Sequence, residues 1–574
     1  MNGLGGSIAM AFGRLRKLFR REPTRQELYL RLTRGLNIER DYQSWIELWE
    51  NYAPLQALPR SSLPLSILLV GSGSDNDRAY WDELARSGNG PQPIWPPGTD
   101  APLNEALPHA LRIASDYLVI LHPSDRLAVS APQRLLAAFD AVPDALLIFG
   151  DEDQIDAAGR RFAAWFKPDF GEDLFLSQNG FGRAVIFRKS VLERLTLPEA
   201  VDLDDAIYDL ALQAIATSDK DPLHCPGILV HVAGDPTVTP KARSLYLSGG
   251  ARRTAVERYI TQRPSLPGAT VEDSGAHGFL RLRHPLPDPL PLVSVVIPTR
   301  DRKDLLELCI KGLDEATSYR NKEIIVIDND STEEETKTYF KALSQRPDVR
   351  IIPAPGPFNY PRLINLGAAQ ARGEILMTLN NDIEAFEPDW LHEMVSQVSR
   401  PGVGLVGCLL LYPDRSIQHA GVIVGLSGVA GHMYGEAAPD DPGYAGRILV
   451  AQDLSAVTGA CQVMRRSLFE QLGGLDERHL AVAYNDIDFC LRVREAGLRV
   501  IYTPHARLLH RHSASRGSDI RPERLVSFAW EREYMRERWA HVIFDDPFFN
   551  PNLSLSGKRG RLATAPRPRI FKKN

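Results

Sequence analysis

Cysteine is scarce in this chain. Cys225, Cys309, Cys408, Cys461 and Cys490 are spread over 574 positions with no metal-type spacing. Their odd number and scatter argue against a disulfide framework and for a reducing compartment. No secretory leader is expected, because the early segment from Ile8 to Phe19 is interrupted by Arg14, Arg16 and Lys17. A long apolar run is missing too. The longest uncharged stretch, Ser416 to Gly435, contains Gln418, His419, His432 and five glycines, which makes it too polar and too breakable for a membrane helix. There is no excess of positive charge: the net charge of −5 excludes a general nucleic-acid binder, so no nucleic-acid partner is expected.

What is present is globular, with 44% hydrophobic and 24% charged residues, in a length that suits two large cores. Residues 7–21 place Ile8, Ala11, Phe12, Leu15, Leu18 and Phe19 at helical spacing, with Arg14, Arg16, Lys17, Arg20 and Arg21 on the other side. Such a helix can lie on an anionic membrane surface or pack on its own domain, and both readings stand. Residues 1–60 therefore form a basic amphipathic and helical lead segment. Alternating strand and helix signals then fill a first α/β unit, 61–280. Prolines at every second position from Pro285 to Pro291 mark a linker, 281–292. A second α/β unit spans 293–555. The tail 556–574 carries seven Lys or Arg and no acid, and is expected to be disordered and attracted to anionic lipid.

The two units repeat one pattern. Ser115 to Ser124 matches Gly373 to Asp382 without a gap, and Tyr208 to Leu212 echoes Ile487 to Leu491. In the second unit, Val293 to Ile297 reads as a buried strand with the loop Pro298-Thr299-Arg300-Asp301-Arg302 after it. A second strand ends in Asp328-Asn329-Asp330-Ser331, and a third, from Gly373, ends in Asn380-Asn381-Asp382. Buried parallel strands deliver chemistry at their carboxyl ends, and adjacent polar tips make a crevice of the nucleotide-binding type. An Asp or Asn there can meet a base edge, although Asp328 can equally cap a turn.

The ordered set Val296-Ile297-Pro298-Thr299, Val326-Ile327-Asp328-Asn329-Asp330-Ser331, Leu379-Asn380-Asn381-Asp382-Ile383-Glu384, Asn485-Asp486-Ile487-Asp488 and His510 resembles glycosyltransferase family 2. The resemblance extends to Gln418-His419-Ala420-Gly421, Ala456 to Cys461, Ser513 to Gly517 and Asp546 to Leu553, and points to a bacterial, rhamnosyltransferase-like branch acting on surface polysaccharide.

It implies a fold class of two tandem GT-A-like, Rossmann-like α/β domains, the first degenerate. It also implies inverting transfer from a nucleotide-diphosphate sugar. Asn380-Asn381-Asp382 occupies the family's Asp-X-Asp position. Asp382, His510 and Asn380 would then hold Mn²⁺ or Mg²⁺, with His512 a rival to His510. Asn380 replaces the first acid and lowers the site's negative charge. Asp486 matches the acid that removes the acceptor proton, and Asp488 is expected to cap or orient the helix start. The donor-binding set is Pro298, Thr299, Arg302, Asp328, Asn329, Arg362, Asn380, Asn381, Thr458 and Gly459, the small residues around Gly459 permitting close approach of the sugar.

The implied partners are a nucleotide-diphosphate sugar donor, a glycan or lipid-linked acceptor, and an anionic membrane touched peripherally. The implied location is cytoplasmic, at the inner membrane face. A competing class is a non-catalytic glycan-binding or scaffold protein on a decayed transferase fold; Asp382, Asp486 and His510 together argue against it. A nucleotidyltransferase is disfavoured because no glycine-rich triphosphate loop with a following Lys is present. In the first unit, His122-Pro123-Ser124 stands at the Asp-X-Asp position, Asp125 comes one place late, and Ile207 stands where the base should be.

Overall fold

A computed structural model describes residues 36–50, 64–86, 91–98, 101–198, 202–236, 250–511, 522–556 and 560–569. The basic stretch 7–21 lies outside these residues, as do His512 and the segment Ser513 to Gly517. Strand segments such as Leu65-Ser66-Ile67-Leu68-Leu69 and Val293 to Thr299 are buried along their whole length, which is why they read as near-continuous apolar runs.

The first sheet contains β1 (Leu65–Leu69), β2 (Gln92–Ile94), β3 (Tyr117–Leu121), β4 (Arg126–Leu127), β5 (Leu147–Ile155), β6 (Arg161–Trp165), β7 (Val185–Arg188) and β8 (Leu223–Ala233). A hairpin, β9 (Thr270–Ser274) and β10 (Phe279–Arg283), follows. Arg281 to Arg283, assigned to the linker from sequence, are thus the end of β10. The second half carries β11 (Val293–Thr299), β12 (Lys322–Asp328), β13 (Val349–Pro353), β14 (Ile375–Leu379), β15 (Ile383–Ala385), β16 (Val403–Leu411), β17 (Ile417–His419), β18 (Val422–Val424), β19 (Ala430–His432), β20 (Gln452–Asp453), β21 (Cys461–Arg465) and β22 (Arg499–His510).

The strand orders coincide. The first sheet runs β2-β1-β3-β7-β5-β8-β4; the second runs β13-β12-β11-β14-β21-β16-β22-β15. Three parallel strands in the first sheet, and four in the second with β13 as an extra edge strand, are followed by an antiparallel one (β7 or β21), then a parallel pair (β5 with β8, β16 with β22), then a short antiparallel strand (β4 or β15). Even a local hydrogen bond is repeated. The Ser66 hydroxyl accepts from the Ser115 N–H at 2.9 Å, and the Ser294 hydroxyl accepts from the Gly373 N–H at 2.8 Å. The two halves are tandem copies of one Rossmann-like α/β architecture.

They are joined by buried polar contacts. Arg400 and Arg499 of the second half bind Asp173 of the first, Arg400 at 2.8 Å. The Asn550 amide donates to both oxygens of Asp151 at 2.9 Å and to the Lys167 carbonyl at 2.7 Å. His224 sits between Asp151 (3.1 Å) and Asp169 (2.9 Å). The expectation of a disordered basic tail is corrected here: Leu562 is buried and bridges Leu36 and Leu553, while Arg569 pairs with Asp545 and Asp169. Apolar packing and two half-buried carboxylates take up residues 560–569. Among the described residues no helix is long and apolar enough to cross a membrane.

Candidate active site

The carboxyl ends of β11, β12 and β14 lie side by side, Thr299 opposite Asp328. After β11 the chain turns through Asp301 and Arg302, both in the left-handed region (φ 51° and 52°). Non-glycine residues adopt that conformation only when surroundings hold them there. Here the Asp301 carboxylate accepts from the N–H groups of Thr332 (2.7 Å) and Glu333 (2.9 Å), and the Ser331 hydroxyl accepts from the Asp301 N–H at 2.8 Å. The loop is thereby fastened to the end of β12.

Asp328 accepts from the Ser331 N–H at 2.9 Å, so one of its oxygens does cap a turn. The Asn329 amide donates to the carbonyls of Ala354 and Gly356, each at 2.9 Å, and its buried oxygen has no partner among the described residues. Arg362 lies in the first turn of the helix Tyr360–Gln370, which Asn359 caps; its guanidinium donates to the Ala354 carbonyl at 3.2 Å. Arg302 holds Asp304 at 2.8 Å. Asn381 points inward, donating to the Thr299 hydroxyl at 2.9 Å and so tying the tips of β14 and β11 together.

Asp382 and His510 meet across the β15–β22 pairing, which sets His510 opposite Ile383. Asp382 Oδ1 and His510 Nε2 are 3.2 Å apart, both residues are buried, and His510 Nδ1 is 2.5 Å from Gln418 Oε1. Two adjacent ligands of one octahedral ion at about 2.1 Å stand about 3 Å apart, so this pair fits a shared divalent cation. Among the described residues there is no group of three His, Cys, Asp or Glu set to hold a metal. Asn380 sits at the same tip, its N–H bonded to the Ala460 carbonyl at 2.9 Å.

Asp486 reaches this tip through Gly459. Leu379 pairs with Cys461, which brings the residues before β21 alongside the end of β14. The Gly459 N–H donates to Asp486 Oδ2 at 2.6 Å, while its carbonyl accepts from the Tyr360 hydroxyl at 3.0 Å. A Cβ at position 459 would lie 2.9 Å from the Asp486 Cβ, so glycine is required there by the acid itself. Thr458 turns its hydroxyl toward the Ala460 N–H at 3.5 Å.

Asp486 is in the first turn of the helix Asn485–Glu495, whose N-cap is Tyr484. Asp488 is not the cap. It is fully buried, accepts from the Trp539 indole at 3.0 Å and pairs with Arg492 at 2.8 Å. Glu531 accepts from the N–H groups of Val482 (2.9 Å) and Ala483 (2.7 Å), steadying the loop that enters this helix. Sequence reasoning assigned no role to Gln418, Tyr360 or Glu531; only Gln418 lay in a quoted motif.

The same positions in the first half are occupied differently. The tip of β3 makes the same turn as that of β14, with Asp125 N–H bonded to the His122 carbonyl as Ile383 N–H is to that of Asn380. His122, Pro123 and Ser124 thus stand for Asn380, Asn381 and Asp382. The pairing of Arg126 with His231 puts Val232 at the place of His510. The pairing of Tyr117 with Arg188 puts Gly182 at the place of Gly459 and Arg183 at that of Ala460.

Arg183 Nη1 binds Asp125 at 2.9 Å and its Nε binds Asp204 at 2.6 Å. Burial alone would lower the Arg183 pKa, but Asp125 and Asp204 outweigh it and hold it above the ordinary arginine value. When the helices Leu203–Ala216 and Asn485–Glu495 are aligned by their C-terminal ends, Ile207, fully buried, falls opposite Asp486; Asp204 belongs to an added first turn. Asp151, Glu152 and Asp153 are all fully buried and bind His224, Lys167 and Arg161, among others.

Residues 294–473 match the family model described as Glycosyl transferase family 2. The uncharacterized protein y4gI of Sinorhizobium fredii is 38% identical over 463 residues, covering 79% of this chain and 50% of that protein. The O-antigen biosynthesis protein RfbC of Myxococcus xanthus is 36% identical over 450 residues, covering 77% of this chain and 34% of its own length. Both alignments are too long for the second half alone and extend into the first. The chain thus spans about half of one relative and a third of the other. The N-acetylglucosaminyl-diphospho-decaprenol L-rhamnosyltransferase of Mycobacterium tuberculosis is 28% identical over 253 residues, 40% of this chain and 79% of that enzyme. Residues 294–473 are accordingly a glycosyltransferase family 2 domain, and the chain is similar over part of its length to bacterial O-antigen and rhamnosyltransferase-type proteins.

Proposed function

We propose that the second domain catalyses inverting transfer of a hexosyl or deoxyhexosyl unit from a nucleotide-diphosphate sugar to a growing surface polysaccharide or lipid-linked glycan. The observation that carries this reading is the gathering of Asp382, His510 and Asp486 at one set of strand tips. Asp382 and His510, with the Asn380 amide oxygen nearby, would hold Mn²⁺ or Mg²⁺. Such an ion would neutralise the departing diphosphate.

Asp486 supplies the base. As the acceptor oxygen bonds to the anomeric carbon and the bond to the diphosphate oxygen breaks on the opposite face, Asp486 takes the hydroxyl proton. The N–H of Gly459 holds Oδ2 at 2.6 Å and the N–H of Ile487 holds Oδ1 at 2.9 Å, so both oxygens are fixed by backbone and a remaining lone pair would meet the incoming hydroxyl. Asp328, Asn329, Arg302, Arg362 and the Pro298-Thr299 turn line the nucleotide side of the crevice. A cytoplasmic enzyme peripheral at the inner membrane face would meet a lipid-linked acceptor there, the acceptor class named for the mycobacterial relative.

The first domain, in this reading, is a degenerate copy. Its tip offers no carboxylate at the Asp382 position, Val232 replaces the histidine, Ile207 replaces the base, and the guanidinium of Arg183 stands where Ala460 leaves room. Of its remaining acids, Asp125, Glu152 and Asp153 are paired within the first half, while Asp151 and Asp173 hold the two halves together. The test is a donor screen reading released nucleoside diphosphate, with lipid-linked acceptors present, with and without a chelator. Chelator-sensitive release that depends on acceptor supports the reading. Release of pyrophosphate, or turnover indifferent to both chelator and Asp486→Asn, would overturn it.

A further inference from the structure

We propose that Gln418 is a positioning residue that fixes the ring of His510 with its Nε2 lone pair facing Asp382, so that the pair is pre-set to share a divalent cation. The inference rests on the proposed metal-dependent transfer and names a part of that site to which neither family nor relatives assign a role. Gln418 lies on β17, beside β16, which also pairs with β22 carrying His510. Its side chain is buried, and among the described residues its two hydrogen bonds both go to one residue. The amide nitrogen donates to the His510 backbone carbonyl at 3.4 Å, and Oε1 lies 2.5 Å from His510 Nδ1.

These contacts form a chain of forced choices. A backbone carbonyl can only accept, so the amide nitrogen must face it, and Oε1 must then face the ring. An amide oxygen can only accept, so Nδ1 must carry a hydrogen. In a neutral ring the lone pair is then on Nε2, which points at Asp382 Oδ1 from 3.2 Å. Two acceptors converging at that separation repel each other until a cation or a proton lies between them. Because the same amide grips both the backbone and the ring of residue 510, the ring cannot rotate without breaking a buried hydrogen bond. Outer contacts of this kind set ligand orientation, and their removal weakens metal binding by about 10–100-fold.

The experiment is titration of the full-length protein with Mn²⁺ alone, followed by the loss of the free-ion electron paramagnetic resonance signal, with thermal melting as a fold control. Wild type should bind, and His510→Ala should lose that binding. Gln418→Leu, which fills the space but cannot accept, should weaken Mn²⁺ by about 10–100-fold while melting normally. Gln418→Glu keeps the acceptor at Nδ1 but loses the donor to the His510 carbonyl, so it should bind Mn²⁺ more weakly than wild type and more tightly than Gln418→Leu. If Gln418→Leu binds like wild type while His510→Ala does not, the positioning role is wrong and the metal reading stands. If Gln418→Glu loses as much as Gln418→Leu, the acceptor argument is wrong. If wild type and His510→Ala bind equally, or neither binds, the metal reading fails and takes this proposal with it.

Discussion

At the tip of β14 the chain presents Asn380, Asn381 and Asp382; at the equivalent tip of β3 it presents His122, Pro123 and Ser124. The frames around them are alike in strand order, in the turn that follows and in the serine that ties the strand start. What differs is where the charge goes. In the second half the carboxylate stands at the third tip position, against an imidazole. In the first half it comes one residue later, at Asp125, where it is fully buried and accepts from the N–H groups of its own turn and of Ala233. A one-residue shift at a strand end reverses the direction of the side chain. Arg183 then supplies a cation built into the chain, on the same strand edge where the second half has alanine. The comparison teaches that two copies of one fold can share a backbone while one sets its carboxylate against an imidazole and the other pairs its carboxylate with a built-in arginine.

The largest expected effect concerns the base. Asp486→Asn keeps size and the Gly459 contact but cannot take a proton, so kcat should fall by roughly 10²–10⁴ with donor affinity little changed. If donor affinity collapses while the saturated rate survives, Asp486 is a binding residue and the contrast with Ile207 means less. Gly459→Ala comes next. Its methyl would press on the Asp486 Cβ, and kcat should drop by about 10–100-fold through displacement of the base. The matching change at Gly182 would strike the Glu152 carboxylate instead, so it should lower the melting temperature and leave kcat unchanged. Equal kinetic effects from both glycines would break the comparison.

A smaller effect is a pH dependence of stability at the joint between halves. Burial would lower the His224 pKa, but its hydrogen bonds to Asp151 and Asp169 outweigh that and raise it above the ordinary 6.5. Its stabilisation is therefore complete below about 6.5 and is lost as pH rises through the higher folded value. Asp169 runs the other way. Burial pushes it up, yet His224 and Arg569 hold it below 3.8, so its share is lost only as pH falls below that range. Melting temperature should decline from pH 6 to pH 9 more steeply in wild type than in His224→Gln. Parallel profiles would show that the histidine is uncharged at the joint. The smallest effect is expected at Ser124→Ala, which should leave transfer within about twofold of wild type, the ordinary range for a residue outside the chemistry.

Much of this contrast was legible in the residue string because strand tips are contiguous. Asn380 to Asp382 and His122 to Ser124 could be laid against each other by eye, since the apolar runs before them have equal length. The prolines after Pro285 likewise announced a break between the halves. What was hidden lay between distant segments. Arg183 reaches Asp125 only because β7 runs antiparallel beside β3, and its match to Ala460 appears only once the pairings are known. Gln418 was visible in a motif, but its grip on His510 depends on β16 standing between β17 and β22. Asp488 looked like a cap from its place at a helix start; Trp539 and Arg492, which decide its role, are invisible to local reading. The tail after Ser556 looked disordered by charge alone, yet the half-buried acids Asp169 and Asp545 await Arg569.

The central claim is that only the second tip transfers sugar. The direct measurement is the product of Asp382→Ala, analysed by linkage with the first half untouched and folding checked by melting. The account predicts that metal-dependent product disappears altogether, because on the proposed reading Asp382 would be the one carboxylate holding the ion, beside His510 and Asn380, and the first domain would have no site of its own. Survival of one glycosidic linkage in that variant, or full activity with a chelator present, would contradict it.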